Sequence, residues 1–505
     1  MAETANIAEA LLEKGRDEAP AIIDRGRITT YGELRADVAV LASELRGGGA
    51  GRGERIGLFS ENSAFFVTAY LATIRAGFCA IPFQLDLSQA SFERIVQSAG
   101  MSRVLVSKRH TARVAGWAES ARVEVLGEEA LVRGPDAPMP DLHSVEPPVE
   151  VDPESDLASI VFTSGSTGDS KGVMVTHRNI AVNTEDIVGY LGLGESDRVM
   201  AVLPFYYCYG VSLLHTHLSA GGSLVINNQF MFPEKVLDDL EAQECTGFAG
   251  VPSTYQILLR KTRFAERRFP RLRWLQQAGG RLPNSFIEEL CAAQPGADLF
   301  IMYGQTEATA RLSYLPPEHL DRKLGSIGRG LPHTRLEVLK ADGNAVEPGS
   351  EEIGEIVASG ENITAGYWGD PEETKLYYRG GRLHTGDMAR VDEEGFVFVV
   401  DRSRDFIKSM GNRVSAKEVE DAVAAIPEVV EVAVIGVPHE VFGEAIVAFV
   451  VCVSKDSADR EAIRKHCMKQ LPNFKMPTRI ELRESLPKTG SAKIDKAALR
   501  AEEGS

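Results

Sequence analysis

Cysteine is scarce in this chain and never arranged for crosslinking. Cys79, Cys208, Cys245, Cys291, Cys452 and Cys467 form no CxxC pair and have no histidine at zinc spacing, so neither a disulfide framework nor a structural zinc site is expected. The N-terminus has no basic stretch followed by an apolar one, so no secretory leader is read there; with reduced thiols, this implies a cytoplasmic protein. Long apolar runs are missing too. The most apolar early stretch, 64–83, is broken by Arg75 and Gly77 and reads as a buried helix and strand, not a membrane span. Positive charge is in deficit: a net charge of −17 disfavours nucleic acid and anionic membranes as partners. Repeats and low-complexity tracts are absent.

What remains is an ordinary folded composition, 44% hydrophobic and 25% charged. The 505 residues exceed what one hydrophobic core supports, so two or three domains or subdomains are expected. The acidity is uneven. Residues 402–505 hold 17 Lys+Arg against 16 Asp+Glu, so nearly all the negative charge belongs to the first 401 residues. A near-neutral tail with well-placed lysines beside an acidic body suits a phosphorylated substrate at their junction, and suits plain solubility equally.

Residues 133–156 are rich in proline and acidic side chains and predict a surface connection between two units. Short apolar runs at 157–162, 199–203, 223–226 and 299–303, spaced by helix-length segments, predict α/β layering on largely parallel strands. After 396–400 the pattern changes. Ser415-Ala-Lys-Glu418 is a capping-box sequence opening a helix to about Ile426; strands follow at 429–437 and 444–453, and a helix at 459–470. The expected architecture is a large N-terminal α/β domain of layered sheets and helices, residues 1–400, and a small α+β C-terminal domain, residues 401–505.

The sharpest local signal follows the first apolar run: Thr163-Ser-Gly-Ser-Thr-Gly-Asp-Ser-Lys-Gly172. Gly165 and Gly168 let the backbone approach an anion. Hydroxyls of Thr163, Ser164, Ser166 and Thr167 can cradle phosphate oxygens, and Lys171 adds a point charge. The spacing is not that of a Walker loop. A flexible Gly/Ser turn is the plain alternative.

This loop closely resembles the phosphate loop of the adenylate-forming superfamily, which includes acyl- and aryl-CoA synthetases, adenylation domains of peptide synthetases and firefly-type luciferases. Further segments resemble the family's motifs in the family's order. They are Thr30-Tyr-Gly-Glu-Leu34, Leu203-Pro-Phe-Tyr-Tyr-Cys-Tyr-Gly210, Ala278-Gly-Gly280, Tyr303-Gly-Gln-Thr-Glu307 and Gly325-Ser-Ile-Gly-Arg-Gly330. Then come His384-Thr-Gly-Asp387, Asp401-Arg402 with Phe406-Ile-Lys-Ser-Met-Gly411, and Leu486-Pro-Lys-Thr-Gly-Ser-Ala-Lys493.

The resemblance implies an ATP-dependent enzyme that joins a carboxylic acid to AMP with release of pyrophosphate, then passes the acyl group to a thiol with release of AMP. It implies that Thr163, Ser164, Ser166, Thr167 and Lys171 hold the β- and γ-phosphates, that Thr306 contacts the α-phosphate, and that Glu307 binds Mg²⁺. Ala278, Gly279, Gly280, Tyr303 and Gly304 would surround the adenine. Asp387 would accept both ribose hydroxyls, with Arg402 assisting. Lys493 would bridge the acid and the α-phosphate. A small mobile C-terminal domain would pivot at Arg404 after adenylation, bringing Lys408 and Gly411 toward the site and opening a pantetheine tunnel. One departure is Ala492, where the family usually has glycine.

The acyl pocket of the family is lined by the segments holding Tyr207, Cys208, Gly250 and Arg311. Amino-acid-activating relatives carry an aspartate where this chain has Cys208, which disfavours an α-amino acid because a buried ammonium would lack its partner. Tyr206, Tyr207 and Tyr209 favour a short or aromatic acid if they point inward. Arg311 could meet a second carboxylate or polar group on the acid, or serve as a surface salt-bridge partner. His215 and His217 could be a metal pair, with structural roles favoured. The acceptor is expected to be coenzyme A, with the phosphopantetheine of a carrier protein as the alternative. An oxidative, luciferase-like enzyme and a non-catalytic nucleotide-binding relative are the other classes.

Overall fold

The computed structural model describes residues 6–48, 51–131, 145–163, 171–402, 406–409, 412–439, 442–454, 459–490 and 493–504. Of the expected phosphate loop this leaves Thr163 and Lys171. Ser164, Gly165, Ser166, Thr167 and Gly168 lie outside the described residues, as do Arg404, Gly411 and Ala492.

A six-stranded sheet runs in the order Glu124–Gly127, Arg103–Val106, Arg55–Phe59, Cys79–Pro82, β1 (Leu157–Thr163) and β2 (Lys171–Thr176). Its neighbours are parallel except for the antiparallel β1–β2 pair. Because β1 pairs with Cys79–Pro82, the proline-rich stretch before it joins two strands of one sheet rather than two units. Composition marks a connection as exposed but carries no information about which strands it joins.

Two helices follow, α1 (His177–Leu191) and α2 (Cys208–Ser219). A nine-stranded sheet holds at its parallel centre β3 (Gly247–Gly250), β4 (Trp274–Gln277) and β5 (Asp298–Tyr303). One apolar core unites the two sheets with the helices. It includes Leu58 and Leu105 from the smaller sheet, Val199, Trp274 and Phe300 from the larger, and residues of Ala64–Arg75 and α2. Every residue of α2 is buried. Its polar side chains Ser212, His215, Thr216 and His217 each find a hydrogen-bond partner inside the protein, so the helix can sit in the interior.

A third sheet is antiparallel and combines Thr334–Leu339, Gly354–Gly360, Tyr378–Arg379, β6 (Arg382–Val391) and β7 (Val397–Arg402). Sequence patterning anticipates β7 alone. The other strands are only partly buried and lack a long apolar run, as the burial of Thr334–Leu339 shows. The last sheet is mixed, built from Ile407–Ser409, Asn412–Val414, Val429–His439, Gly443–Cys452 and Arg479–Leu482. It contains the strands expected there, backed by α3 (Ala416–Ala424) and the helix Arg460–Gln470. Ser415 caps α3 by accepting the Glu418 N–H, and its hydroxyl donates to Asp401 at 2.8 Å, tying the helix start to the end of β7. Among the described residues no helix is long and apolar enough to cross a membrane.

The histidines of α2 act singly. His215 Nε2 meets the Tyr70 hydroxyl at 3.1 Å, while His217 Nδ1 faces the Leu213 carbonyl at 2.9 Å. Among the described residues no cluster of three or more His, Cys, Asp or Glu could hold a metal. Burial lowers the pKa of His215 to about 3 and those of His217 and His177 to about 4. The unfolded chain therefore binds protons below about pH 6.5 that the folded chain does not, and stability falls as pH drops from there toward 4. Each histidine contributes roughly 3 kcal/mol across that window. Thermal denaturation followed from pH 7.5 to 4.5 should show Tm declining steeply below about pH 6; a flat profile would contradict neutral burial.

Candidate active site

The ends of β4 and β5, the middle of β6 and the start of α2 converge. After β4 the chain continues as Ala278-Gly279-Gly280, with Ala278 buried and Gly279 at φ +86°. A Cβ on Gly279 would stand 2.9 Å from Val251 Cγ1 and 3.0 Å from the Tyr207 hydroxyl, so glycine is required both by backbone conformation and by space. Gly250, at the end of β3, is similarly crowded by Thr254 and Tyr255. At the end of β5, the Tyr303 hydroxyl donates to Asp387 Oδ2 at 2.7 Å, bringing together two residues 84 positions apart. Asp387 is paired in register with Arg402 across β6 and β7; of Arg402 only the backbone is described.

Gly304 follows without room for any side chain. A Cβ there would lie 2.1 Å from the Ala310 carbonyl oxygen and 2.8 Å from Arg311 Cα. The obstacle is backbone and cannot rotate away. Gly304→Ala is expected to destabilise the fold by about 1–3 kcal/mol and to displace the residues that follow. Chemical denaturation checks this, and an unchanged midpoint would refute the packing argument.

Those residues are Thr306 and Glu307, in a single 3₁₀ turn. Thr306 Oγ1 contacts Cys208 Sγ at 3.4 Å. Glu307 is aimed by Tyr367, whose hydroxyl donates to Oε1 at 2.7 Å, while its backbone carbonyl accepts from the N–H and hydroxyl of Thr364, both at 3.0 Å. Burial and the neighbouring Glu307 charge push the Tyr367 hydroxyl pKa far up, keeping it a donor. The turn ends at Thr309, which has φ +65° and ψ −65°, with the Ala310 N–H donating to the Ala308 carbonyl at 2.7 Å. That is a γ-turn centred on a β-branched residue, a strained conformation of the kind found beside functional groups.

Lys171 forms an ion pair with Glu373 and lies 5.5 and 5.3 Å from the ring centroids of Tyr367 and Tyr377. Sequence reasoning missed Tyr367 and Glu373. The available signal was Tyr367-Trp-Gly-Asp-Pro-Glu-Glu373, an aromatic pair before a helix start capped by Asp370.

Lys493 arrives from the C-terminal unit. Its Nζ is 5.2 Å from the Tyr207 ring centroid, and its Cε would be 3.3 Å from a Cβ on Gly279. The Thr489 N–H donates to the Lys493 carbonyl at 2.8 Å. The Tyr206 hydroxyl receives this loop by donating to the Gly490 carbonyl at 2.9 Å. Arg281, directly after Gly280, pairs with Asp421 of α3 at 2.9 Å, and burial holds the Asp421 pKa up at about 6 despite that cation. Lys408, by contrast, is exposed on the strand Ile407–Ser409, its backbone N–H donating to Glu444. Lys493 is the lysine beside Tyr207 and Gly279 in this arrangement.

Of the three tyrosines, Tyr207 meets Lys493, Tyr206 meets the C-terminal loop, and Tyr209 is core, its hydroxyl donating to the Gln276 carbonyl at 2.9 Å. Burial raises the pKa of Cys208, so its thiol stays neutral. Arg311 is buried beneath this wall, not on the surface.

The fold and this site define an α/β enzyme in which a lysine of a C-terminal unit reaches the strand ends of a larger one. The chain belongs to the family described as AMP-binding enzyme, whose profile matches residues 9–368, with the AMP-binding enzyme C-terminal domain matching residues 418–493. Feruloyl-CoA synthase of an Amycolatopsis species is 33% identical over 484 residues, 95% of each chain. A long-chain-fatty-acid–CoA ligase of Escherichia coli is 31% identical over 525 residues, covering 96% of this chain and 92% of that one. The ATP-bound crystal structure of MatB from Rhodopseudomonas palustris matches with a TM-score of 0.88 at 31% identity over 99% of each chain. The protein is an AMP-forming acid–thiol ligase: it makes an acyl-adenylate from a carboxylic acid and transfers the acyl group to a thiol.

Proposed function

We propose that the enzyme activates a short or aromatic carboxylic acid with ATP and Mg²⁺ and delivers it to coenzyme A. The observation that carries this reading is the position of Lys493, brought by the C-terminal loop to the gap between Gly279 and Tyr207. An acid seated against Tyr207 and a nucleotide seated against Ala278–Gly280 would meet at that ammonium.

The remaining roles follow from chemistry. In the first step a carboxylate oxygen bonds to the α-phosphorus while the bond to the pyrophosphate oxygen breaks. Two anions must be held in line, which is a matter of positioning and charge stabilisation. Lys493 offsets the charge between them, Thr306 donates to the α-phosphate, and Lys171 leaves Glu373 for the departing phosphates. Asp387, aimed by Tyr303, accepts from the ribose. A single carboxylate with one oxygen engaged by Tyr367 fits a cation that takes few protein ligands, and Mg²⁺ bound there supplies charge neutralisation to the phosphates. In the second step the thiol sulfur attacks the acyl carbonyl and AMP departs. We place the boundary of the C-terminal unit near residue 401, with Lys408 serving that second step from a rotated arrangement.

The acid class is supported by the wall of the pocket. Tyr207 sets an aromatic ring beside Lys493, where its bulk favours a short or aromatic acid over an extended chain. Relatives act on acids as different as ferulate and long-chain fatty acids, so ancestry alone does not choose. Cys208 offers an ammonium no negative charge, which disfavours α-amino acids.

ATP–pyrophosphate exchange across a panel of acids tests the first step, and AMP release with coenzyme A or a pantetheinylated carrier protein tests the second. Exchange with benzoates or short acids and AMP release with coenzyme A are expected. No exchange with any acid would refute the reading.

A further inference from the structure

Lys493 stands at the strand ends only while the segment carrying it is seated, and the seat belongs to the larger unit. On the C-terminal side the residues around Gly490 are tied to one another. Lys488 and Ile494 form an antiparallel bridge, the Thr489 N–H donates to the Lys493 carbonyl, and the Asp495 N–H donates to the Pro487 carbonyl, the last two at 2.8 Å. Lys488 also pairs at 2.6 Å with Glu431, which is buried, and Leu486 packs in a core with Leu499. The stretches 487–489 and 493–495 are thus held to each other and to their own sheet. Whatever places Gly490 therefore also places Lys493.

Gly490 rests on side chains of the larger unit. The Tyr206 hydroxyl donates to its carbonyl at 2.9 Å, across 284 positions of sequence. A Cβ on Gly490 would stand 3.1 Å from Asp86 Oδ1 and 3.2 Å from Gln84 Oε1, so its backbone lies against both. Gln84 is itself tied to β1, its Nε2 donating to the Phe162 carbonyl at 3.4 Å. Dehydration, with the Asp86 charge beside it, pushes the Tyr206 hydroxyl pKa up to about 12, which keeps it a neutral donor. Its neighbour Tyr207 carries the ring beside the Lys493 ammonium. Two adjacent tyrosines thus meet the C-terminal unit, one at the backbone of Gly490 and one at the lysine.

We infer that Tyr206 is a positioning residue for the adenylation step: its hydroxyl seats Gly490 against Gln84 and Asp86 and so sets where Lys493 stands. The inference rests on the role proposed above for Lys493. The bond to Gly490 exists only while the C-terminal unit is docked here. It bears on the first half-reaction and not on an arrangement in which that unit has turned away to form the thioester. A tyrosine that lined the acid would instead change KM for the acid. A tyrosine that merely packed would lower both half-reactions together.

The test uses the full-length enzyme and Tyr206→Phe, which keeps the ring and removes the donor. The acid is the member of the panel above that exchanges fastest, supplied as its adenylate when thioester formation is measured alone. The kcat for ATP–pyrophosphate exchange should fall about 10-fold, with KM for ATP and acid within about 2-fold of the wild type and thioester formation from supplied adenylate unchanged. Gly490→Val approaches the same contact from the other unit, its side chain pressing on Gln84 and Asp86, and should give the same selective loss. Equal loss in both half-reactions, an acid-dependent rise in KM, or exchange at the wild-type rate in Tyr206→Phe overturns the inference. Lys493→Ala measured alongside separates it from the reading it rests on. If that variant loses exchange while Tyr206→Phe keeps it, the positioning role alone fails. If Lys493→Ala keeps exchange, the role of Lys493 fails and this inference with it.

Discussion

Lys493→Ala should lower the rate of adenylate formation by roughly 100- to 1,000-fold while leaving ATP affinity nearly unchanged. The size follows from what the residue touches. Its Nζ lies over Tyr207 and its stem against Gly279, between the acid and nucleotide segments rather than inside either. In the proposed first step a group there would act when charge moves from carboxylate to phosphate, and would contribute little to holding ATP beforehand. The variant should therefore bind ATP by calorimetry, fail in pyrophosphate exchange, and still convert supplied acyl-adenylate to thioester. Normal exchange would remove Lys493 from the first step; loss of ATP binding would make it a nucleotide ligand instead.

The second large effect is expected at Glu307. Glu307→Gln removes the charge proposed to hold Mg²⁺ on the phosphates while keeping the shape, and should reduce adenylate formation by about 100-fold or more at ordinary Mg²⁺ concentrations. Tyr367→Phe removes only the hydroxyl that aims the carboxylate at 2.7 Å, so it should raise the Mg²⁺ required for half-maximal activity by about 10-fold, with the maximal rate recovered in excess cation. A Mg²⁺ titration of both variants separates the cases. Identical cation dependence in Tyr367→Phe and the wild type would show that Tyr367 does not orient Glu307.

What could be read from the sequence was local. Ala64–Arg75 with Cys79–Pro82, β1, and, in the C-terminal unit, the strands Val429–His439 and Gly443–Cys452 with the helices Ala416–Ala424 and Arg460–Gln470 announce themselves by apolar runs or caps within a dozen residues. The site motifs were likewise legible as short strings, and the structure brings Tyr303 to Asp387 and Lys493 to Gly279. The missing part was pairing over distance. Lys171 meets Glu373 across 202 positions, and Glu307 meets Tyr367 across 60, with no periodicity to mark either. The antiparallel sheet of residues 334–402 escaped for a related reason: its partly buried strands gain their register from one another, not from a continuous apolar run. Arg311 was legible as a candidate, but its burial was not, because that depends on Tyr209 and Met302 closing over it.

The ion pair between Arg281 and Asp421 joins the nucleotide segment to the C-terminal unit, yet its carboxylate is held at a pKa of about 6 because dehydration outweighs the neighbouring cation. Such a contact locates a unit without anchoring it. On the proposed cycle, in which the C-terminal unit would leave this seat after adenylation, weak attachment would keep the two arrangements close in free energy and the exchange between them fast. It also gives the exchange a direction in pH. The docked carboxyl binds a proton more readily than an exposed one, so acidification toward pH 5 would favour this arrangement over any in which Asp421 is exposed.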